Sequence, residues 1–413
     1  MTEILFIAHR IPFPPDRGDK IRSHHILKRL SRIAPVHVAT FADDDHDLAE
    51  EVELAAIAAS YRLVGRSRPL ALSGMQALAK KRPVSLTAFH DRTLAAYVRD
   101  VIDTRPISVI YVFSGQMGQY VPADFQGRVV MDFVDVDSAK FEAYAARRGG
   151  PMGWIEAREG RLLRAEEERL ACRADVSLLV AKPEVDLFLS RLPEELAACV
   201  DVRVLGNGID SQGFDPARVA PTQLMASPPG ARLIFTGQMD YMPNITAAER
   251  VIERILPQVR AEIPDATFHV VGRNPPAALL DRHGRDGAFV WGRVDDIRPW
   301  LKAATLALVP LDIGRGVQNK VLEAMAMELP VVLTSEAATG IPGIDGTHFQ
   351  IADSDGGLAR AVKMLLSDTR RARIMGMAAR RFVVEEASWR SALAALPEII
   401  GWRTRPRTVR DAA

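Results

Sequence analysis

Leu306-Ala-Leu-Val-Pro-Leu-Asp-Ile-Gly-Arg-Gly-Val-Gln-Asn-Lys-Val-Leu-Glu-Ala-Met-Ala-Met-Glu-Leu-Pro-Val-Val-Leu333 carries the pattern on which the fold turns. An apolar run, Thr305–Val309, stops at Pro310, and a loop with Gly314 and Gly316 follows. A helix-periodic stretch over Val317–Met327 then leads into a second apolar run at Val331–Leu333. Runs this short and apolar are the size of strands buried on both faces, and strands joined through a helix lie parallel. The stretch therefore predicts one strand–loop–helix–strand unit of a parallel sheet.

The same alternation continues outward. Leu233–Thr236, Thr267–Val271 and Phe289–Trp291 read as further strands, with a helix over Ile245–Leu256 opened by Asn244 as its cap. Upstream lies a turn-rich stretch, Gly206–Asp210 and Asp215–Gly230, and before it the pattern runs a first time. Its strands are Ile4–Ala8, Val36–Phe41, Val109–Phe113, Val129–Phe133 and Val176–Ala181, with helices over Lys20–Ile33 and Trp154–Cys172. The expected fold is α/β, with two doubly wound parallel-sheet, Rossmann-like domains facing a cleft. The N-terminal domain is expected at 1–208, a linker at 209–230 and the C-terminal domain at 231–387. A C-terminal helix within 388–413 is expected to return to the first domain and to end in a basic tail.

Composition narrows the function. The chain has 413 residues, 53 Lys and Arg against 52 Asp and Glu, and 48% hydrophobic residues, as in an ordinary globular protein. A net charge of +1 provides no global field for nucleic acid. Two cysteines, Cys172 and Cys199, without histidine companions at ligand spacing, predict neither a zinc site nor a disulfide framework, and no metal is expected. The N-terminal apolar run is too short for a secretory segment, and no run reaches the roughly 20 apolar residues of a membrane helix, so a cytoplasmic location is expected.

Ligands of open α/β sheets bind beyond the carboxyl ends of the strands. There, the Gly314/Gly316 loop ends where a helix opens with unpaired backbone amides, an anion site to which Gly316, Val317, Gln318 and Asn319 belong. Lys320 and Glu323, three apart, share one helix face. The lysine suits a pyrophosphate, and an ionised glutamate, which only accepts, suits the two hydroxyls of a ribose. The same spacing also fits a surface ion pair. Neither GxGxxG nor GxxxxGK[ST] occurs, which removes the main support for dinucleotide and P-loop readings.

In the first domain, the loop Ile11–Lys20 brings Gly18, Asp19 and Lys20, candidate acceptor-side residues, to a helix N-terminus, with Gly18 open to close approach. Met131–Ser138 carries Asp132, Asp135 and Asp137. Asp135 is a candidate catalytic residue and Asp137 a candidate acceptor contact, with helix capping by Asp137 or Ser138 as the structural alternative. His24 and His25 read as core histidines. From Arg62 to Arg99 eight Lys or Arg stand against the single acid Asp91, and Lys80-Lys81-Arg82 follows Leu72, Met75 and Leu78 at helical spacing. That pattern suits an anionic membrane surface, or simply a solvated face.

Leu322-Glu-Ala-Met-Ala326 with Pro330-Val-Val332, and Asn207-Gly-Ile-Asp210 with Phe214, resemble the retaining glycosyltransferases of family 4, which have the two-Rossmann architecture called GT-B. The likeness covers nearly the whole chain. Asp135-Val-Asp-Ser-Ala-Lys140, Phe235-Thr-Gly-Gln-Met-Asp-Tyr-Met-Pro-Asn244 and Gly316–Glu323 are similar to sugar transferases associated with exosortase/PEP-CTERM exopolysaccharide systems. The resemblance implies a nucleotide diphosphate sugar as donor substrate and no cofactor or metal. It also implies Glu323 at the donor ribose, Gly237 and Gln238 in the donor loop, and Val290–Val294 with Gly292 and Arg293 along the nucleobase pocket, where Arg273 could reach. The acceptor implied is a glycan or a lipid-linked glycan. Two departures stand out: Arg315 replaces a glutamate usual eight residues before Glu323, and Gln238 and Pro243 stand where an arginine and a lysine are usual. Lys320 and Arg315 are the available cations for the diphosphate, and both are candidate catalytic groups. A sugar-nucleotide epimerase on the same shell and a non-catalytic sugar-nucleotide-binding protein are the alternatives.

Overall fold

A computed structural model describes residues 2–66, 77, 82–148, 150–226, 229–313 and 317–402. The chain divides into two compact units: Met1–Asn207 together with the chain from Leu393 on, and Gly208–Ala392.

The first unit contains a seven-stranded parallel sheet in the order β3-β2-β1-β4-β5-β6-β7. Its strands are β1 (Glu3–Ala8), β2 (Val36–Ala42), β3 (Ser60–Gly65), β4 (Ile107–Phe113), β5 (Arg128–Val134), β6 (Val176–Leu179) and β7 (Val202–Val204). Ile4 lies opposite Val36 on one side and Val109 on the other, so β1 is central and its apolar run is buried on both faces. The order reverses between β1 and β4, which makes their carboxyl ends the switch point of the sheet.

The second unit repeats the plan with six parallel strands, ordered β10-β9-β8-β11-β12-β13. They are β8 (Arg232–Thr236), β9 (Thr267–Val271), β10 (Ala288–Val290), β11 (Leu306–Val309), β12 (Val331–Leu333) and β13 (Gln350–Ile351). The switch point falls between β8 and β11. Ile209 and Met225 belong to the core of this unit, so the turn-rich stretch after residue 208 packs as part of it. Ile209 N–H donates to Ala387 at 2.8 Å and Trp389 N–H to Ile209 at 3.2 Å, which ties the first residues of the unit to its last.

Strands β3, β7 and β13, absent from the sequence reading, are all edge strands. Their residues are only half-buried or exposed, so no apolar run marks them. The helix expected from Asn244 begins earlier, at Met242 with Tyr241 as cap, and runs to Arg250 before a wider turn at Val251–Ile255. Asn244 is therefore no cap, and its side chain is free for another use. Capping by Asp137 or Ser138 is likewise replaced. The Asp137–Arg147 helix is capped from outside, with Ser138 N–H donating to Glu167 at 2.9 Å and Val136 N–H to Glu184 at 2.9 Å. Burial pushes Glu167 up to about 6 against those Ser138 hydrogen bonds.

One buried ionic group spans the first unit. Asp132, within β5 and fully buried, accepts from Arg22 Nε and Nη2, each at 3.1 Å, and from the Tyr111 hydroxyl at 2.8 Å. Arg22 Nη1 donates to Asn207 Oδ1 at 2.9 Å, so every polar face of this interior guanidinium is engaged. His24 and His25 pack edge to face at 5.2 Å and stay half-buried, with His24 against Phe13.

Candidate functional site

The loops leaving β8, β9 and β10 are laced together. Gly237 N–H donates to Val271, Met239 N–H to Arg273 and Gly272 N–H to Gly292, at 3.1, 2.8 and 2.9 Å. Two glycines permit this closeness. A Cβ on Gly272 would stand 1.6 Å from the Gly237 carbonyl oxygen, and one on Gly237 would stand 2.9 Å from Lys320 Nζ. Gly292, at φ +69, occupies the left-handed region that favours glycine.

Against this floor comes the helix after β11, Asn319–Ala326. Its lower face buries Val321, Leu322, Ala324, Met325 and Ala326, which turns Lys320 and Glu323 together toward the carboxyl ends of β8 and β11. The two do not bridge each other, so the surface ion pair is not formed. Lys320 Nζ donates instead to Asn244 Oδ1 at 2.5 Å and lies 4.5 Å from the centre of the Phe235 ring. Glu323 makes no hydrogen bond among the described residues. Burial drives both toward neutrality: Lys320 falls to about 8 and Glu323 rises to about 6, each shift reduced by the charge of the other. Among the described residues Lys320 thus has only an amide partner and Glu323 none, an arrangement suited to a ligand that carries both an anion and hydroxyl donors.

The loop that delivers this helix is held from behind by Arg250, a residue the sequence reading passed over. Its buried guanidinium donates to the Pro310 carbonyl, Asp312, the Asp353 carbonyl and Asp355, at 3.3, 2.8, 2.6 and 2.6 Å. Val317 is exposed, Gln318 precedes the helix, and Asn319 begins it, two residues later than expected. Arg315 and Gly316 lie outside the described residues. Arg273 and Gln238 are exposed and bonded to each other through the Gln238 amide oxygen. Arg293 is exposed beyond Gly292. Behind that segment Trp291 Nε1 donates to His269 Nδ1 at 3.0 Å, and burial holds His269 neutral, at about 4.

In the first unit, Asp135 follows β5 with its side chain 46% exposed, 3.8 Å from Lys140, which also donates to Asp137 at 2.9 Å. Just before it Val134 holds φ +71, an uncommon, strained conformation for a β-branched residue, and Ser114 holds φ +78 at the end of the adjacent β4. Asp19 accepts from Arg10 at 2.7 Å and lies 3.2 Å from His9. Burial would raise its pKa, but these partners hold it well below the ordinary carboxylate range. Lys20 corrects the sequence reading. It is 2% exposed, donating to the Phe13 carbonyl at 2.9 Å and to Asp47, so it braces the loop from inside and is not offered to an acceptor. Beside Gly18 the space is open, with no atom within 4 Å of where a Cβ would be. Arg82 is described, and its carbonyl accepts from Arg158 at 3.3 Å; Lys80, Lys81, Leu72, Met75, Leu78 and the tail from 403 lie outside the described residues. Among the described residues no helix is long and apolar enough to cross a membrane, and no group of three or more His, Cys, Asp or Glu is placed to hold a metal ion.

Comparison with known proteins shows what the chain is similar to. Residues 230–368, most of the second unit, match the family model described as "Glycosyl transferases group 1". The chain is 27% identical over 281 residues to the GDP-mannose-dependent alpha-(1-6)-phosphatidylinositol monomannoside mannosyltransferase of Mycolicibacterium smegmatis, covering 64% of this chain and 71% of that protein. It is 31% identical over 212 residues to alpha-maltose-1-phosphate synthase of the same organism, and there spans about half the relative's length, 53%, with 46% of its own. Among solved structures, Anabaena HepE in complex with UDP and glucose aligns with a TM-score of 0.60 at 14% identity, covering 97% of this chain and 100% of that one. Sucrose-phosphate synthase from Thermosynechococcus elongatus aligns at 0.59 and 15% identity, covering 97% and 98%. The fold is thus two parallel-sheet α/β units with GT-B glycosyltransferases as structural neighbours, and the likeness to the group 1 glycosyltransferase model lies within the second unit.

Proposed function

We propose that the chain is a retaining glycosyltransferase that takes a sugar from a nucleotide diphosphate donor held by the second unit and passes it to an acceptor held by the first. The observation that carries this reading is the pairing of Lys320 with Glu323. Among the described residues one is a cation without an ion-pair partner, the other an acceptor without a donor, and they are one helical turn apart at a sheet switch point. A nucleoside diphosphate satisfies both, with phosphate oxygens on Lys320 and the Asn319 end of the helix and ribose hydroxyls on Glu323. Negative charge grows on the diphosphate as the glycosidic bond breaks, and a fixed ammonium lowers the energy of that state more than of the ground state. Retention of anomeric configuration is the outcome implied by likeness to family 4.

A panel of uridine, guanosine and adenosine diphosphate sugars tests the reading by thermal shift. The preferred donor, at 100 times its dissociation constant, is expected to stabilise the protein by about 2.7 kcal/mol. Glu323→Gln keeps the shape and removes the charge, and is expected to weaken donor binding by about 1.5–3 kcal/mol, read by calorimetry. No shift with any of the three classes, or unchanged affinity in the variant, contradicts the reading. Binding without transfer favours the non-catalytic alternative that Arg315 suggests, and a changed sugar nucleotide released without acceptor favours the epimerase.

For the acceptor, Asp135, Asp137 and Asp19 are part-exposed acids in loops or helix starts that follow strands of the first unit, and Asp135 sits on the strained end of β5. The mannosyltransferase relative is named for a phosphatidylinositol-linked acceptor, which supports a lipid-linked glycan, with exopolysaccharide synthesis of the exosortase-associated type as the setting. Work on such an acceptor would bring the first unit to the membrane surface through Lys80, Lys81 and Arg82. Each basic residue near an anionic surface contributes about 1 kcal/mol. Salt-sensitive co-sedimentation with anionic liposomes, reduced when these three become Gln, is expected. Binding indifferent to the substitutions leaves the segment as a solvated face.

A further inference from the structure

The ammonium of Lys320 has three N–H bonds and a narrow setting. One bond goes to Asn244 Oδ1, the Phe235 ring covers another side, and the missing Cβ of Gly237 leaves just enough room. Asn244 itself is only 7% exposed and is anchored, because its Nδ2 donates to the Gln238 carbonyl at 2.8 Å. A single amide thus joins the loop after β8 to the helix after β11, across the switch point of the sheet. Among the described residues Glu323 is the charged group that acts on Lys320. Positions 238 and 243 of the same loop hold Gln and Pro, so the loop brings no lysine or arginine of its own to the diphosphate.

We propose that Asn244 is a positioning residue for Lys320: tied to the Gln238 carbonyl and accepting one ammonium proton, it fixes Nζ at the carboxyl end of β8 and leaves the remaining N–H bonds for a diphosphate. The neutrality of the partner is what matters. An aspartate at 244 would hold the lysine at least as firmly, but would cancel its charge and repel the incoming anion, whereas an amide orients without neutralising. The consequence for turnover rests on the donor-site reading above; the effect on the lysine does not.

Two readouts separate these. The pH dependence of acetylation of the Lys320 amine by acetic anhydride, followed by mass spectrometry in the unliganded protein, reports the lysine alone. Loss of the acceptor in Asn244→Ala is expected to make Lys320 more reactive at pH 7.5, and the added charge in Asn244→Asp to make it less so, each by about threefold or more. Steady-state kinetics with the preferred donor are then expected to show kcat down about tenfold or more in Asn244→Ala with a smaller change in KM, and KM up in Asn244→Asp. If either variant fails to fold, Gly237→Ala approaches the pair from the other side, since its Cβ would stand 2.8 Å from Asn244 Nδ2 and 2.9 Å from Nζ. It is expected to alter Lys320 reactivity with both residues still present. Folded variants that keep the wild-type acetylation profile, or that shift it without changing kcat or KM, overturn the proposal. Shifted profiles in a protein that binds no nucleotide diphosphate leave the positioning intact and defeat the donor reading instead.

Discussion

Lys320→Ala is expected to lower kcat by about 10²–10³-fold, about 2.7–4 kcal/mol, the cost of removing one preorganised electrostatic group from a developing anion. Donor affinity is expected to fall much less, because the ground-state diphosphate already carries its charge in water. The pH profile gives an independent signature. In the free enzyme burial places Lys320 at about 8 and Glu323 at about 6, so both are ionised only between those values, and kcat/KM is expected to fall on either side. Rising pH removes the ammonium, and falling pH protonates the carboxylate proposed to receive the ribose. A bound diphosphate places negative charge beside the lysine and favours its charged form, so the alkaline limb of kcat is expected at higher pH than that of kcat/KM. In Lys320→Ala the alkaline limb is expected to vanish. A variant with unchanged kcat at saturation and only a raised KM would reduce Lys320 to a phosphate contact.

The second large effect is on stability. Asp132→Ala removes the carboxylate that holds Arg22 and the Tyr111 hydroxyl in a fully buried setting, leaving a guanidinium with no counter-charge. Breaking a buried pair from one side costs about 3–5 kcal/mol. Urea unfolding followed by tryptophan fluorescence and circular dichroism is expected to show the first unit melting early, while the donor binding proposed for the second unit, read by calorimetry, is unchanged. The pair need not itself be strongly stabilising. Replacing both partners with apolar residues of similar size, Arg22→Met with Asp132→Leu, is expected to recover most of the loss, because no charge is then stranded. An unchanged midpoint in Asp132→Ala would mean that water or another group reaches Arg22.

What could be read from the sequence follows from how locally each feature is encoded. Central strands such as β1, β4, β9 and β12 announce themselves because burial on both faces requires a continuous apolar run. Edge strands β3, β7 and β13 need no such run and leave none. Lys320 and Glu323 were legible because one helix fixes both at a spacing of three. Asn244 was misread as a cap for the opposite reason: its partners, the Gln238 carbonyl and Lys320, lie in separate loops, and an Asn before an apolar stretch has the same local signature whether it caps or reaches across. Lys20 shows the limit from the other side. A lysine beside a glycine in a post-strand loop has the composition of a ligand contact, and only the partner Asp47, on a different strand-to-helix connection, shows that it points inward. Arg22 and Asp132 stand 110 positions apart, and nothing near either one indicates the other.

The order in which the parts are synthesised differs from the order in which they are completed. All seven strands of the first unit precede Gly208, yet the helix at Leu396–Ile399, whose Ile399 carbonyl accepts from Arg128 at 2.7 Å, is made after the whole second unit. The second unit is by contrast an uninterrupted insertion whose two ends are hydrogen-bonded to each other through Ile209, Ala387 and Trp389. A premature stop just after Ala392 therefore spares the segment it adjoins and strips its clasp from the earlier-made first unit, leaving Arg128 without the Ile399 carbonyl.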